Sequence, residues 1–225
     1  VDIQEVAAMS HVTIVEIGAA ICPWLAVVWC LLRVARWSNL KVRGWTLLAV
    51  TGAIGVAILL VPIQGLAIAR WVAGLNANFS VPLIGMLAVR VCERAFGRSL
   101  FSRREWSSAW GFGAIGALAL YPMALGLSSF DPYEWGWSFS PLFLVIGLLT
   151  AWLLWARNRF GVVLLLAALA FRLRLLESTN YWDYLLDPIY SLVSLAWLTG
   201  WLVTSTRSSL TKRYSKTLPR SISTI

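Results

Sequence analysis

Charged side chains are scarce in this sequence: 13% of its 225 residues, against 59% that are hydrophobic. Soluble domains average about 25% charged residues, so a globule of this composition lacks the polar surface that would keep it in water. That shortage excludes a cytosolic enzyme, a disordered chain and a secreted disulfide scaffold. Histidine occurs once, as His11, which excludes haem held by two histidines and multi-histidine zinc or iron sites within the chain. Cysteine is nearly as rare. Cys22 and Cys30 lie in one apolar run, separated by about 12 Å of helical rise, and Cys92 stands alone, so neither a disulfide framework nor zinc-ligand spacing is present. A Walker A loop, a dinucleotide glycine fingerprint, a G-x-S-x-G elbow and an H-E-x-x-H pair are all missing as well. No cofactor and no metal is therefore expected, and no catalytic motif names a reaction. An enzyme of this composition would be a membrane transferase acting on a lipid-linked substrate.

What the chain does contain is apolar sequence in long runs. A membrane-crossing helix needs about 20 mostly apolar residues. Seven runs approach that length: 12–32, 45–66, 80–96, 107–127, 139–156, 160–176 and 187–204. The second contains Pro62 and Gln64 and the sixth is interrupted by Arg172, so the count lies between six and eight, and seven is the reading adopted. Pro23 and Pro122 each remove a helical hydrogen bond and predict kinks. Ala109, Gly113 and Ala117 repeat every fourth residue and predict a smooth stripe that lets another helix approach closely. No internal repeat is visible, which counts against a transporter built from inverted halves. The fold expected is all-α: a polytopic transmembrane helix bundle over residues 1–204, followed by a basic, disordered tail over 205–225.

The formal charge is +9, and its distribution orients the bundle. Arg33, Arg36, Lys41 and Arg43 follow the first run; Arg94, Arg98, Arg103 and Arg104 follow the third; Arg157 and Arg159 follow the fifth; Arg207, Lys212, Arg213, Lys216 and Arg220 follow the seventh. With seven spans all of these fall on one side, while Asp2, Glu5, Asp131, Glu134, Glu177, Asp183 and Asp187 fall on the other. Positive-inside bias then puts the N-terminus outside and the C-terminus in the cytoplasm. Bunched cations of this kind speak for orientation in a membrane and against nucleic-acid binding. Asp2 and Glu5, rather than basic residues, precede the first run, which reads as a retained anchor and not a cleaved leader. Fourteen tryptophans, among them Trp37, Trp45, Trp71, Trp106, Trp135, Trp137, Trp155 and Trp182 near span ends, suit an interfacial belt. Trp135, Trp137 and Trp182 also suit an aromatic cleft on the outside.

Chemistry is expected at the outer end. Arg70, Arg172 and Arg174 lie on the side that positive-inside bias disfavours, where a guanidinium needs a partner. That partner is either the nearby acids Glu177, Asp183 and Asp187 or an anionic ligand gripped by guanidinium forks. Asp131-Pro132, Ser140-Pro141 and Asp187-Pro188 have the pattern of helix caps followed by proline at the first helical position. Asp183 and Asp187, four apart, would share a face on a helical turn, a weak signal for acid–base work or a divalent cation. Glu16, about one turn inside the first span, is a candidate proton-relay group with His11 or an ion-pair partner for Arg70 or Arg172. Arg90 and Glu93 read as a local pair near the inner end of the third span.

The expectation that follows is a bacterial inner-membrane protein that binds an anionic lipid or lipid-linked glycan at its extracytoplasmic face. Arg70, Arg172 and Arg174 would hold the anion, and Glu177, Asp183, Asp131 and Asn180 would position the polar group. Its partners would be membrane lipids and another membrane protein, which it would serve as an accessory subunit in envelope assembly. Two other readings stay open: a small proton-coupled transporter using Glu16, and a purely structural subunit of a larger complex.

Overall fold

The computed structural model describes residues 3–38, 44–127 and 129–217, with side chains over 15–38, 44–127 and 129–206. The architecture is all-helical apart from one two-residue hairpin. Its helices are α1 (Ile3–Trp37), α2 (Trp45–Leu60), α3 (Ile68–Leu75), α4 (Val81–Phe96), α5 (Arg103–Pro122), α6 (Pro141–Trp155), α7 (Phe160–Arg172), α8 (Tyr181–Leu185) and α9 (Pro188–Thr217). Strands β1 (Pro62–Ile63) and β2 (Leu66–Ala67) pair antiparallel between α2 and α3. Every apolar run of the sequence forms a helix. Three stretches, Val15–Trp37, Arg103–Leu127 and Pro188–Thr206, are long and apolar enough to cross a membrane. The remaining apolar helices are shorter: α2 has 16 residues, α6 has 15 and α7 has 13, about 20–24 Å at helical rise.

Several boundaries differ from expectation for local reasons. The run 45–66 does not stay helical, because Pro62 cannot continue the ladder and Gln64 and Gly65, both at positive φ, make the two-residue turn of the hairpin. The run 160–176 ends as a helix at Arg172. There Leu175 N–H donates to the Ala170 carbonyl and Arg174 adopts φ 52°, the left-handed position that closes a helix C-terminus. α1 continues through Pro23, whereas Pro122 ends α5 and is followed by a π turn, Met123–Leu127, with Gly126 at φ 85°. α9 runs past residue 204 through Thr217, so residues 205–217 are helical where a disordered tail was expected. Residues 218–225 lie outside the described part.

Two apolar cores share α4. One packs α1 and α2 against it through Leu25, Val28, Leu32, Leu47, Val91 and Ala95. The other gathers α4 to α9 around Leu83, Met86, Phe160, Leu164, Tyr184 and Tyr190. The Ala109/Gly113/Ala117 stripe lies on α9: a Cβ on Gly113 would fall 2.2 Å from Ser194 Oγ, and the Tyr190 hydroxyl donates to the Ala109 carbonyl. That stripe is therefore filled from within the chain, which removes it as a surface for a partner subunit.

Polar side chains close the two ends of the bundle. At one end Asp187, 2% exposed, accepts from Ser80 N at 3.0 Å and Ser80 Oγ at 2.5 Å through one oxygen. Its other oxygen accepts from Ile189 N at 2.8 Å and Tyr190 N at 2.9 Å. One carboxylate thus caps α9 and ties it to Ser80, the N-cap of α4. At the other end Ser102 and Glu105 form a capping box at the start of α5, and Glu105 Oε1 accepts from Arg159 N at 2.9 Å in the α6–α7 loop. Glu93 Oε1 accepts from Leu100 N and Phe101 N at 2.9 and 3.0 Å, fixing the α4–α5 loop. α4 and α9 start at the first end, which is acidic (Asp131, Asp183, Asp187), whereas α5 and α7 start at the second, which is rich in arginine.

Asp187→Asn should destabilise the protein by about 2–4 kcal/mol, because an amide cannot accept all four hydrogen bonds and the buried donors lose their partner. Chemical unfolding in detergent checks this. Ser80→Ala, which removes only the hydroxyl, should cost about 1 kcal/mol.

Candidate functional site

Three segments meet at the acidic end: residues 76–80, the loop 129–140 and the loop 173–187. Each is folded by short side-chain-to-backbone bonds. Asp131 caps the 3-10 turn Pro132–Gly136 by accepting from Tyr133 N at 2.8 Å, and Ser140 caps α6. Asn180, fully buried, accepts from Trp182 N at 2.9 Å and donates to the Tyr133 carbonyl at 3.0 Å. Gly136 lies directly beneath it, where a Cβ would fall 1.7 Å from Asn180 Oδ1, so any other residue there would separate the two loops. Trp182 donates its indole N–H to the Pro132 carbonyl at 2.8 Å and is 8% exposed. It is a loop clamp, not a member of the interfacial belt. Trp37, Trp45, Trp137 and Trp155 are well exposed, as a belt requires.

The acids separate from one another. Asp183 accepts from Tyr133 Oη at 3.0 and 3.2 Å and from the Ser178 hydroxyl. Asp187 is committed to Ser80 and the start of α9. α8 ends at Leu185, and Leu186 is extended at φ −139°, so the two carboxylates do not share a helical turn. The four-residue spacing that suggested an acid pair is broken by that extended residue. Glu16 pairs with Arg70 at 3.1 Å, both side chains more than half exposed. The side chain of His11, the second member of the suggested relay, lies outside the described residues. Glu177 is exposed beside the loop.

Arg172 and Arg174 behave differently. They open on one cavity of about 240 Å³, together with Trp137, Phe171, Ser178, Thr179 and Tyr184. Among the described residues neither forms an ion pair with a carboxylate; the pairs found are Arg70–Glu16, Arg90–Glu93 and Arg159–Glu105. Arg70 does not line this cavity, so the three arginines expected to act together divide into an ion pair and a pair of free guanidiniums. Arg174 is held in the left-handed region by the end of α7, where glycine is the usual choice. Gln64 and Arg157 take the same left-handed conformation, which marks a turn of the chain in each case.

Nothing in the spacing of Tyr133, Ser178 and Tyr184 announces the contacts they make across the loops. The Tyr184 hydroxyl accepts from Leu176 N at 3.2 Å and donates to the Ser178 carbonyl at 3.1 Å, bracing the loop under the cavity. Burial, and then the negative charge of Asp183, push the Tyr133 phenol up to about 12. Burial alone raises Tyr181 to about 12. Chemically the cavity wall offers two guanidiniums, the Thr179 hydroxyl and aromatic rings. Comparisons with protein families, with curated proteins and with solved structures found no match for this chain.

The raised phenol of Tyr133 gives a pH-dependence of defined sign. An unfolded tyrosine ionises near its ordinary value of about 10 and the folded one near 12. The contribution is therefore intact below about pH 10 and lost as pH rises toward the folded value. Tyr133→Phe should flatten the alkaline fall in stability in that window, read by unfolding midpoints, and remove one late phenolate from the ultraviolet titration.

Proposed function

We propose that the chain crosses a bacterial inner membrane seven times, through α1, α2, α4, α5, α6, α7 and α9, with its N-terminus outside and its C-terminus in the cytoplasm. Support comes from the alternation of helix direction, from the gathering of acids at one end and arginines at the other, and from the positive-inside rule. The short helices fit such an arrangement when the bilayer thins locally around them. A cysteine placed at Ser138 should then be labelled by an impermeant reagent in intact cells, and one at Arg98 only after permeabilisation. The reverse pattern would invert the topology.

The function that fits this frame is capture of an anionic lipid or lipid-linked glycan at the extracytoplasmic face. One observation carries it: Arg172 and Arg174 share a cavity and have no carboxylate partner among the described residues, although Asp183 on the same loop is taken by Tyr133 and Ser178. A guanidinium beside hydrocarbon is costly unless an anion accompanies it. The phosphate of a lipid headgroup supplies that anion and matches the planar fork of arginine. Trp137 and the Thr179 hydroxyl, which line the same cavity, are then available to the polar group attached to it. The sequence carries no catalytic signature, so the reading assigns binding, in the service of another membrane protein of envelope assembly.

A photo-crosslinking amino acid at Thr179 should yield a phosphate-bearing lipid adduct in cells. Its amount should fall roughly tenfold in Arg172→Gln/Arg174→Gln, with expression and thermal midpoint nearly unchanged. Failure of the variant to accumulate, or an unchanged adduct, would make the arginines structural and remove the pocket.

A further inference from the structure

The arginines of the opposite end carry an orientation signal in the sequence, and that signal accounts for their number but not for where they converge. Arg33 and Arg36 leave the last turns of α1, Arg90 and Arg94 the last turns of α4, and Arg98 the following loop. All five line one cavity of about 580 Å³, more than twice the volume of the cavity at the acidic end. The lone acid in its wall is Glu93. Both oxygens of that carboxylate are committed: Oε1 to the Leu100 and Phe101 amides, and Oε2 to Arg90 Nη1 at 3.3 Å. Arg90 is further fixed with its guanidinium carbon 3.7 Å from the centre of the Trp106 ring.

Arg33, Arg36, Arg94 and Arg98 remain. Among the described residues none has a carboxylate within ion-pair reach. Arg33 stacks over Trp29 at 5.1 Å, and Arg36 reaches the bend at Gly97, where a Cβ would meet its Nη2 at 3.6 Å. Gly97 itself is left-handed, φ 69°, and turns the chain so that Arg98 comes back to the same cavity as Arg94. Simple snorkelling sends long side chains outward and apart. Here two helices and a turn bring four uncompensated cations around one space, an arrangement whose mutual repulsion a bound polyanion relieves.

We infer that this cavity is a second anion site, built for a phosphate group of high charge such as a phosphomonoester or pyrophosphate. Fork geometry favours oxyanions over a halide, and four converging cations favour a multiply charged phosphate over a singly charged carboxylate. The group comes either from an anionic lipid headgroup, whose chains would lie along the exposed Val34 face of α1, or from a soluble phosphate compound. The site is independent of the one at the acidic end. Its sequence signal is the spacing of the arginines: Arg33 and Arg36 are three apart and Arg90 and Arg94 four apart, which places each pair on one helix face.

The test uses the full chain in nanodiscs of phosphatidylcholine, with two arms. In the first, phosphatidic acid is added and retention followed by native mass spectrometry; in the second, inorganic pyrophosphate is titrated against the thermal midpoint. Both arms take the Arg172→Gln/Arg174→Gln protein as reference, so that the cavity at the acidic end does not contribute, and adding Arg36→Gln/Arg94→Gln/Arg98→Gln should weaken binding in a responding arm by at least roughly tenfold. Binding of phosphatidic acid alone identifies a lipid source, and binding of pyrophosphate, with or without the lipid, shows that the free group suffices; each supports the site. Should the triple glutamine variant not fold, the triple lysine variant, which keeps charge but loses the fork, should bind several-fold more weakly than the reference. If the reference binds neither probe, or the variants bind as well as the reference, the inference fails.

Discussion

A single buried carboxylate holds the halves of this molecule together. Asp187 sits where α4 and α9 begin, and accepts four hydrogen bonds that no solvent could supply in its place. α4 in turn carries both apolar cores, so the register between α4 and α9 sets how α1 and α2 sit against α5 to α9. Truncating such a group leaves buried amides unpaired, and that penalty exceeds the net worth of any one hydrogen bond it makes.

The rarity of polar side chains makes each one consequential. Glu93, Glu105, Asp131, Asn180, Asp183 and Asp187 all accept from backbone amides or hydroxyls at loop junctions. Loops between membrane helices contain amides that need partners if they are not hydrated, and these few acids and amides provide them. What the acids do not reach is left charged. Arg172 and Arg174 at one end, and Arg33, Arg36, Arg94 and Arg98 at the other, are cations around cavities, each without a described carboxylate partner. The asymmetry has a common cause: carboxylates serve the backbone because they only accept, while guanidiniums only donate and must look for acceptors elsewhere.

Much of the helical layout was legible. Each apolar run became a helix, and Ser140-Pro141, Asp131-Pro132 and Asp187-Pro188 mark helix or turn starts where they do in the structure. The helix ends were less so. Gln64, Arg157 and Arg174 enter the left-handed region although none is glycine, and a rule that waits for glycine passes over all three. The Asp183/Asp187 pair failed for a similar reason, because one extended residue, Leu186, separates positions that a helix would align.

Hydrophobic runs, their lengths and the side on which charge collects are properties of consecutive residues. They alone determined that this chain is helical and apolar enough to meet a membrane. Which arginine finds a carboxylate depends on residues far apart in the chain: Arg70 meets Glu16, Arg159 meets Glu105, and Arg172 meets none among the described residues. Pairings of that kind follow from how helices pack, through contacts such as Gly113 on Ser194 and Gly136 on Asn180. Only the tertiary structure could decide them, since local periodicity has no information about what lies across the interface.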